Sequence, residues 1–158
     1  MKLFISYSRF DKPWVTELWQ KLRNEDGHDA WMDKQIVPAS DWWHSIQSAI
    51  EDCECFIFVM SPQAVDSIYC LAEFRYALSL NKPILPLMLR ECKPPREISK
   101  QRIQFHKIGE DNLDRTLRIV ANSLGEIRVQ IALGNFDDKS DISRPDEPKP
   151  SINPVETI

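Results

Sequence analysis

The sequence predicts an α/β fold, a parallel sheet with helices on both faces, and three observations carry that reading. Short apolar runs alternate with stretches whose apolar residues recur at helical spacing. One run, Cys55 to Met60, is aromatic and β-branched with no polar face, as a strand buried on both sides must be. The chain of 158 residues suits one compact domain.

Taken in order, Lys2–Ser6 reads as a buried strand. Pro13 then fits the first turn of a helix, where its missing N–H has no helical partner to lose. Trp14, Val15, Leu18, Trp19 and Leu22 give that helix one apolar face, and Asp26-Gly27 stops it. Trp14, Trp19 and Trp31 are assigned to the core. His28–Met32 forms a second short strand, followed by a polar loop, Asp33–Ala39, that contains Pro38. Ser40 or Asp41 caps the next helix, whose face is Trp42 or Trp43, Ile46, Ala49 and Ile50. Cys55–Met60 is the central strand. Ser61-Pro62 opens a helical stretch that runs to about Leu80. Pro83–Leu89 is a strand whose Pro86 favours an edge or a bulge, and Ile103–Ile108 is a weak fifth strand. Leu113, Leu117, Val120, Leu124, Ile127 and Ile131 form the last helical stripe, with Gly125 a candidate break. Strands and helices alternating in short units imply right-handed crossovers. The expected architecture is therefore a flavodoxin-like three-layer sandwich, with a parallel sheet of about five strands and helices on both faces.

Composition changes near Asn135. From Phe136 to Ile158 six acidic residues stand against three basic ones, and four of the eleven prolines fall between Pro145 and Pro154. With isolated apolar residues, such a stretch offers little burial to offset its ordering entropy. Residues 1–135 are read as the folded domain and residues 136–158 as a Pro-rich acidic linker or tail, expected to be disordered.

Several function classes are set aside by the same residues. A formal charge of −4 argues against a basic groove that tracks nucleic-acid phosphates. No apolar run approaches the roughly 20 residues that cross a bilayer, and the apolar patch at the start is too short for a signal core. A soluble, cytoplasmic protein is expected, without direct nucleic-acid or membrane partners. Cys53, Cys55, Cys70 and Cys92 contain no Cys-x-x-Cys pair, and His28, His44 and His106 lack metal-ligand spacing, so no metal is expected. Ser8, His106 and Ser61-Pro62 offer no hydrolase triad, and no glycine-rich phosphate loop exists.

In folds of this kind the working residues gather beyond the carboxyl ends of the strands. Here those ends are Ser6–Asp11, Asp33–Ser40 and Ser61 onward. Phe4-Ile-Ser-Tyr-Ser-Arg-Phe-Asp11 resembles the first-strand box of TIR (Toll/interleukin-1 receptor) domains. Trp31-Met-Asp33 and Ile36-Val-Pro38, followed by Asp41-Trp42, resemble the second box and its loop. Phe56 to Ser61, then Tyr69-Cys-Leu-Ala-Glu73-Phe, resembles the third strand and the helix that carries an aromatic four residues before a glutamate. Pro83-Ile-Leu-Pro86 fits the fourth strand. The likeness runs from Met1 to about Leu133. Two departures are visible: no glycine flanks Pro38, and Tyr69 stands where bacterial members often have Trp.

That resemblance implies a bacterial-type TIR domain that cleaves NAD+ at the nicotinamide–ribose bond, with NAD+ as substrate and no cofactor. Glu73 would be the catalytic carboxylate. Tyr7, Ser8, Arg9 and Phe10 would floor the substrate pocket, with Trp42 and Tyr69 as aromatic walls. Activation by self-association is implied, through an apolar loop tip made by Ile36, Val37 and Pro38. The product would be ADP-ribose or a cyclic isomer, the setting antiviral defence, and the trigger a sensor, C-terminal or separate. The chemistry suits one carboxylate: N-glycosidic cleavage passes through an oxocarbenium-like state that a negative charge stabilises. Neutral nicotinamide leaves a cationic linkage, so no general acid is required. On a helix Glu73 shares a face with Tyr69, Cys70 and Tyr76. The other expectation is a TIR interaction module without catalysis, recruiting further TIR domains.

Overall fold

The computed structural model describes residues 1–32, 39–100, 105–137, 139 and 141–149, leaving aside the side chains at 39–41 and 99–100. Five parallel strands lie in the order β2-β1-β3-β4-β5. They are β1 (Lys2–Ser6), β2 (Asp29–Trp31), β3 (Cys55–Met60), β4 (Ile84–Met88) and β5 (His106–Lys107). The helices between and after them are α1 (Lys12–Asn24), α2 (Ala39–Asp52), α3 (Pro62–Val65), α4 (Ile68–Ser79), α5 (Arg96–Lys100) and α6 (Leu113–Ala132). The order reverses direction at β1/β3, as in a flavodoxin-like sheet.

Strand parity sorts the core into two layers. Leu3, Ile5, Ile57, Val59 and Leu87 pack against Val15, Leu18 and Leu22 of α1 and Leu117, Val120 and Leu124 of α6. Phe4, Phe56, Phe58 and Met60 pack on the other face against Trp43, Ile46 and Ile50 of α2 and Tyr69, Phe74 and Ala77 of α4. All six residues of β3 are buried, which is why its sequence has no polar face. Cys55 opens β3 and faces the first layer; Cys53 precedes the strand, so alternation does not govern it, and it packs in the second layer.

Three expectations need correction. The helical stretch after Ser61 is two helices: α3 ends at Val65, and Ser67 caps α4 by accepting the Cys70 N–H at 3.3 Å. A serine hydroxyl that satisfies a free helix N–H starts a new helix more readily than it continues an old one. Pro86 lies in a strand paired on both sides, opposite Phe58 of β3. Leu89 N–H bonds to β3 and Met88 C=O accepts from Ile108, so the even residues of β4 face β5. Pairing with β5 begins only at Leu87 opposite His106, so the missing N–H of Pro86 falls before that ladder starts. Finally, α6 continues through Gly125 without interruption. Trp14, Trp19 and Trp31 are half-buried against the core: Trp19 Nε1 donates to the Ala30 carbonyl at 2.7 Å, and Trp31 stacks on Phe4.

Candidate functional site

β1 ends at Ser6, whose even position turns its hydroxyl toward the α2/α4 layer. There it donates to Glu73 Oε1 at 2.7 Å. Both groups are buried, Ser6 at 1% and Glu73 at 3% exposure. A carboxylate taken from water at a strand end needs such a donor. One turn earlier on α4, Tyr69 presents its ring to Trp42 edge-on, with centroids 5.1 Å apart. Trp43 reaches the same ring at 6.2 Å. The structure thus brings together Glu73, Tyr69 and Trp42, and adds Ser6 and Trp43.

The four residues expected to floor the pocket separate. Tyr7 has odd parity, so its side chain joins the α1/α6 core, across the sheet from Glu73. Ser8 is buried and its Oγ accepts the Phe10 N–H at 3.2 Å, capping a 3-10 turn at Arg9–Asp11. Arg9 is exposed. Phe10 is 64% exposed and lies under the Arg90 guanidinium, 4.9 Å from ring centre to Cζ, toward the end of β4. Ile36, Val37 and Pro38 lie outside the described residues.

A second polar cluster ties strand ends together. The buried Asp11 carboxylate accepts from Ser61 Oγ at 2.6 Å and pairs with Arg90, which also pairs with Glu110. It links the ends of β1, β3 and β4. The sequence held a signal for Ser6, a polar residue ending an apolar strand, but none for Arg90, whose partner lies far away in the chain.

Part of the stretch read as a tail lies against this side of the domain. Arg144 donates to Glu51 through Nε and Nη2, each at 2.6 Å. The Pro145 carbonyl accepts from Trp43 Nε1 at 3.3 Å and Gln47 Nε2 at 2.8 Å. Tyr69 Oη donates to Glu147 Oε1 at 3.4 Å. The Arg144 hydrogen bond, with help from Tyr76, holds the Glu51 carboxyl below its ordinary value against the opposing effect of burial. Burial, then the hydrogen bond to Glu51, pushes the Tyr76 hydroxyl up to about 12. Desolvation likewise pushes the Cys53 thiol up to about 12, so it is inert as a nucleophile.

Among the described residues no His, Cys, Asp and Glu group could hold a metal ion, and no helix is long and apolar enough to cross a membrane. The TIR domain family profile matches residues 3–118. Toll-like receptor 6 of Dasypus novemcinctus is 39% identical over 75 residues, 47% of this chain and 10% of the receptor. The Homo sapiens receptor is 37% identical over 75 residues, 47% of this chain and 9% of its own length. The alignments therefore span about a tenth of the curated relatives. Among solved structures, the TIR domain of the Toll-related receptor TRR-2 from Hydra magnipapillata superposes with a TM-score of 0.65 at 22% identity, covering 80% of this chain and 98% of that one. The Clostridium botulinum CMP N-glycosidase BcmB gives 0.59 at 17%, covering 78% and 99%. A prokaryotic SEFIR domain gives 0.59 at 16%, covering 75% and 94%. With its parallel five-stranded sheet and a family match across most of its length, the chain belongs to the TIR-domain family.

Proposed function

We propose that this TIR domain cleaves NAD+ at the nicotinamide–ribose bond, with Glu73 as the carboxylate that stabilises the developing ribosyl cation. The observation that carries this reading is the Ser6–Glu73 pair at the carboxyl end of β1, one turn along α4 from Tyr69, whose ring meets Trp42. In the reaction the bond from ribose C1′ to nicotinamide N breaks, and its electron pair leaves with nicotinamide. Water adds at C1′ and gives up a proton to form ADP-ribose; attack by the adenine gives a cyclic isomer. An aromatic wall suits the flat nicotinamide, and a buried carboxylate acts in low dielectric where its charge counts most. The BcmB structure has the same fold and is named for N-glycosidic cleavage of a nucleotide, so the fold is compatible with this chemistry.

Glu73 exposes only 3% of its surface, so contact with a ribose requires the site to open. Self-association through Ile36, Val37 and Pro38 would supply that change, in a cytoplasmic defence role set off by a sensor. A second reading, a TIR scaffold that signals without catalysis, is favoured by the similarity to Toll-like receptor 6. Incubating concentrated protein with NAD+ and assaying free nicotinamide separates the two. Release that depends on Glu73 and rises steeply per protomer with concentration supports the enzyme, and its loss in Val37→Asp supports the loop contact. No release at any concentration leaves the scaffold.

A further inference from the structure

Residues 141–149 cross the outside of α2 and α4 without regular secondary structure. The anchors are few, polar and supplied by side chains. Arg144 clamps Glu51 with two donors and reaches Ser48 Oγ at 3.2 Å. One residue on, the Pro145 carbonyl sits between the Trp43 and Gln47 donors. Two further on, Glu147 takes the Tyr69 hydroxyl. The order of charge is matched: a cation meets Glu51, a carbonyl meets two N–H groups, and an anion meets a hydroxyl donor. Proline at 145 and 148 restricts the backbone before docking, which lowers the cost of ordering it.

Beneath the segment a cavity of about 560 Å³ remains, between Leu71, Ala72 and Arg75 on α4 and Ile142, Pro145 and Pro148 above. Residues 141–147 are themselves exposed and are tied to α2 and α4 by side-chain hydrogen bonds, so the segment lies over the helices and is not part of the core. A surface that reads charge and carbonyl position in register, over an unfilled groove, is a recognition surface for an extended peptide.

We propose that the α2/α4 face formed by Trp43, Gln47, Glu51 and Tyr69 is a docking surface for an extended Arg-Pro-Asp-Glu segment. In the resting chain the occupant is its own residues 144–147. Tyr69 belongs both to this surface and to the aromatic wall beside Glu73, so segment release and site opening are coupled. That coupling rests on the NAD+ reading above; the docking does not.

The test uses the full chain labelled with ¹⁵N and follows the Trp43 indole N–H, assigned with Trp43→Phe. Arg144→Glu and Glu51→Arg each release the segment, so the indole signal shifts and exchanges with water at least tenfold faster. The double variant Arg144→Glu/Glu51→Arg restores the original signal. An indole signal unchanged in both single variants overturns the proposal, as does a double variant that stays released. A signal that changes on dilution assigns the docked segment to a second copy and overturns occupancy within one chain. Nicotinamide release is measured on the same samples. Faster release in Arg144→Glu supports the coupling, and equal Glu73-dependent release in every form overturns it. A moving indole with no nicotinamide from any form keeps the docking and removes the NAD+ reading.

Discussion

Ser6 and Glu73 are 67 residues apart in the chain, yet the serine hydroxyl donates to the glutamate Oε1 at 2.7 Å with both groups out of water. The bond joins the last residue of β1 to the middle of α4. It fixes one carboxylate oxygen and so sets the direction of the other.

Glu73→Gln keeps an acceptor for Ser6 but removes the charge. Nicotinamide release should fall by about 10²–10³, the usual loss for a preorganised electrostatic group. Circular dichroism and the melting temperature should change little. Glu73→Ala is the contrasting variant: it leaves the buried Ser6 hydroxyl without this acceptor and should cost about 1–3 kcal/mol in urea unfolding. Full activity in Glu73→Gln would sink the mechanism.

Ser6 is a positioning residue in that mechanism, since it acts through Glu73. Ser6→Ala should lower kcat about tenfold, the scale of one lost hydrogen bond to a charged group, while leaving KM close to its original value. Ser6→Thr, which restores a hydroxyl, should recover most of the rate. Steady-state kinetics on the three forms checks this; a rise in KM with kcat intact would place Ser6 in substrate binding instead.

The Asp11 clasp should matter for stability more than for chemistry. Asp11→Ala leaves the buried Ser61 hydroxyl without this acceptor and Arg90 with Glu110 as its remaining carboxylate, and should cost about 2–3 kcal/mol in urea unfolding. That lies below the value for a fully buried pair because Arg90 stays partly in water. Asp11→Asn, which can still accept from Ser61, should cost less. Equal losses for the two would show that the charge opposite Arg90 contributes everything.

Docking of residues 144–147 should weaken in acid. The Glu51 carboxyl is held below its ordinary value of 4.5, first by Arg144 and then by Tyr76, with Lys82 adding a favourable charge. The released form therefore binds more protons than the docked form once pH drops below about 4.5. Docking supported by Glu51 is complete above that value and is lost as pH falls through the lower, docked-state value. The Trp43 indole signal followed from pH 6 to pH 3 should report this, and Glu51→Gln should flatten the profile. An unchanged midpoint in Glu51→Gln would overturn the assignment of the transition to Glu51.

Much of this molecule was readable from residue order because periodicity is a local property. The all-apolar Cys55–Met60 could only be a central strand, and it is. Tyr69 and Glu73 lie in the stretch read as helical after Ser61, and within a helix their four-residue spacing puts them on one face. What escaped depended on parity and on distant partners. Counting alternation onward from Leu3 would have sent Tyr7 to the far side of the sheet. Pro86 looked like an edge residue because a strand sequence does not say where its neighbour's ladder begins. Arg144 and Pro145 sit in a segment with no apolar face of its own, and their partners on α2 lie more than 90 residues away. Composition sees weak packing there but not a hydrogen-bond register.

β3 belongs to both layers at once: Cys55, Ile57 and Val59 complete one core, Phe56, Phe58 and Met60 the other. Neither layer can melt while the other survives, because losing either strips half the side chains from the same strand. The two sides of the sheet should therefore behave as one cooperative unit, with the β3 amides the last to exchange with solvent. A cavity introduced under α6, far from Glu73, would lower the local stability of α4 as surely as one placed beside it. Variants distant from the chemistry would then act on it through the shared strand.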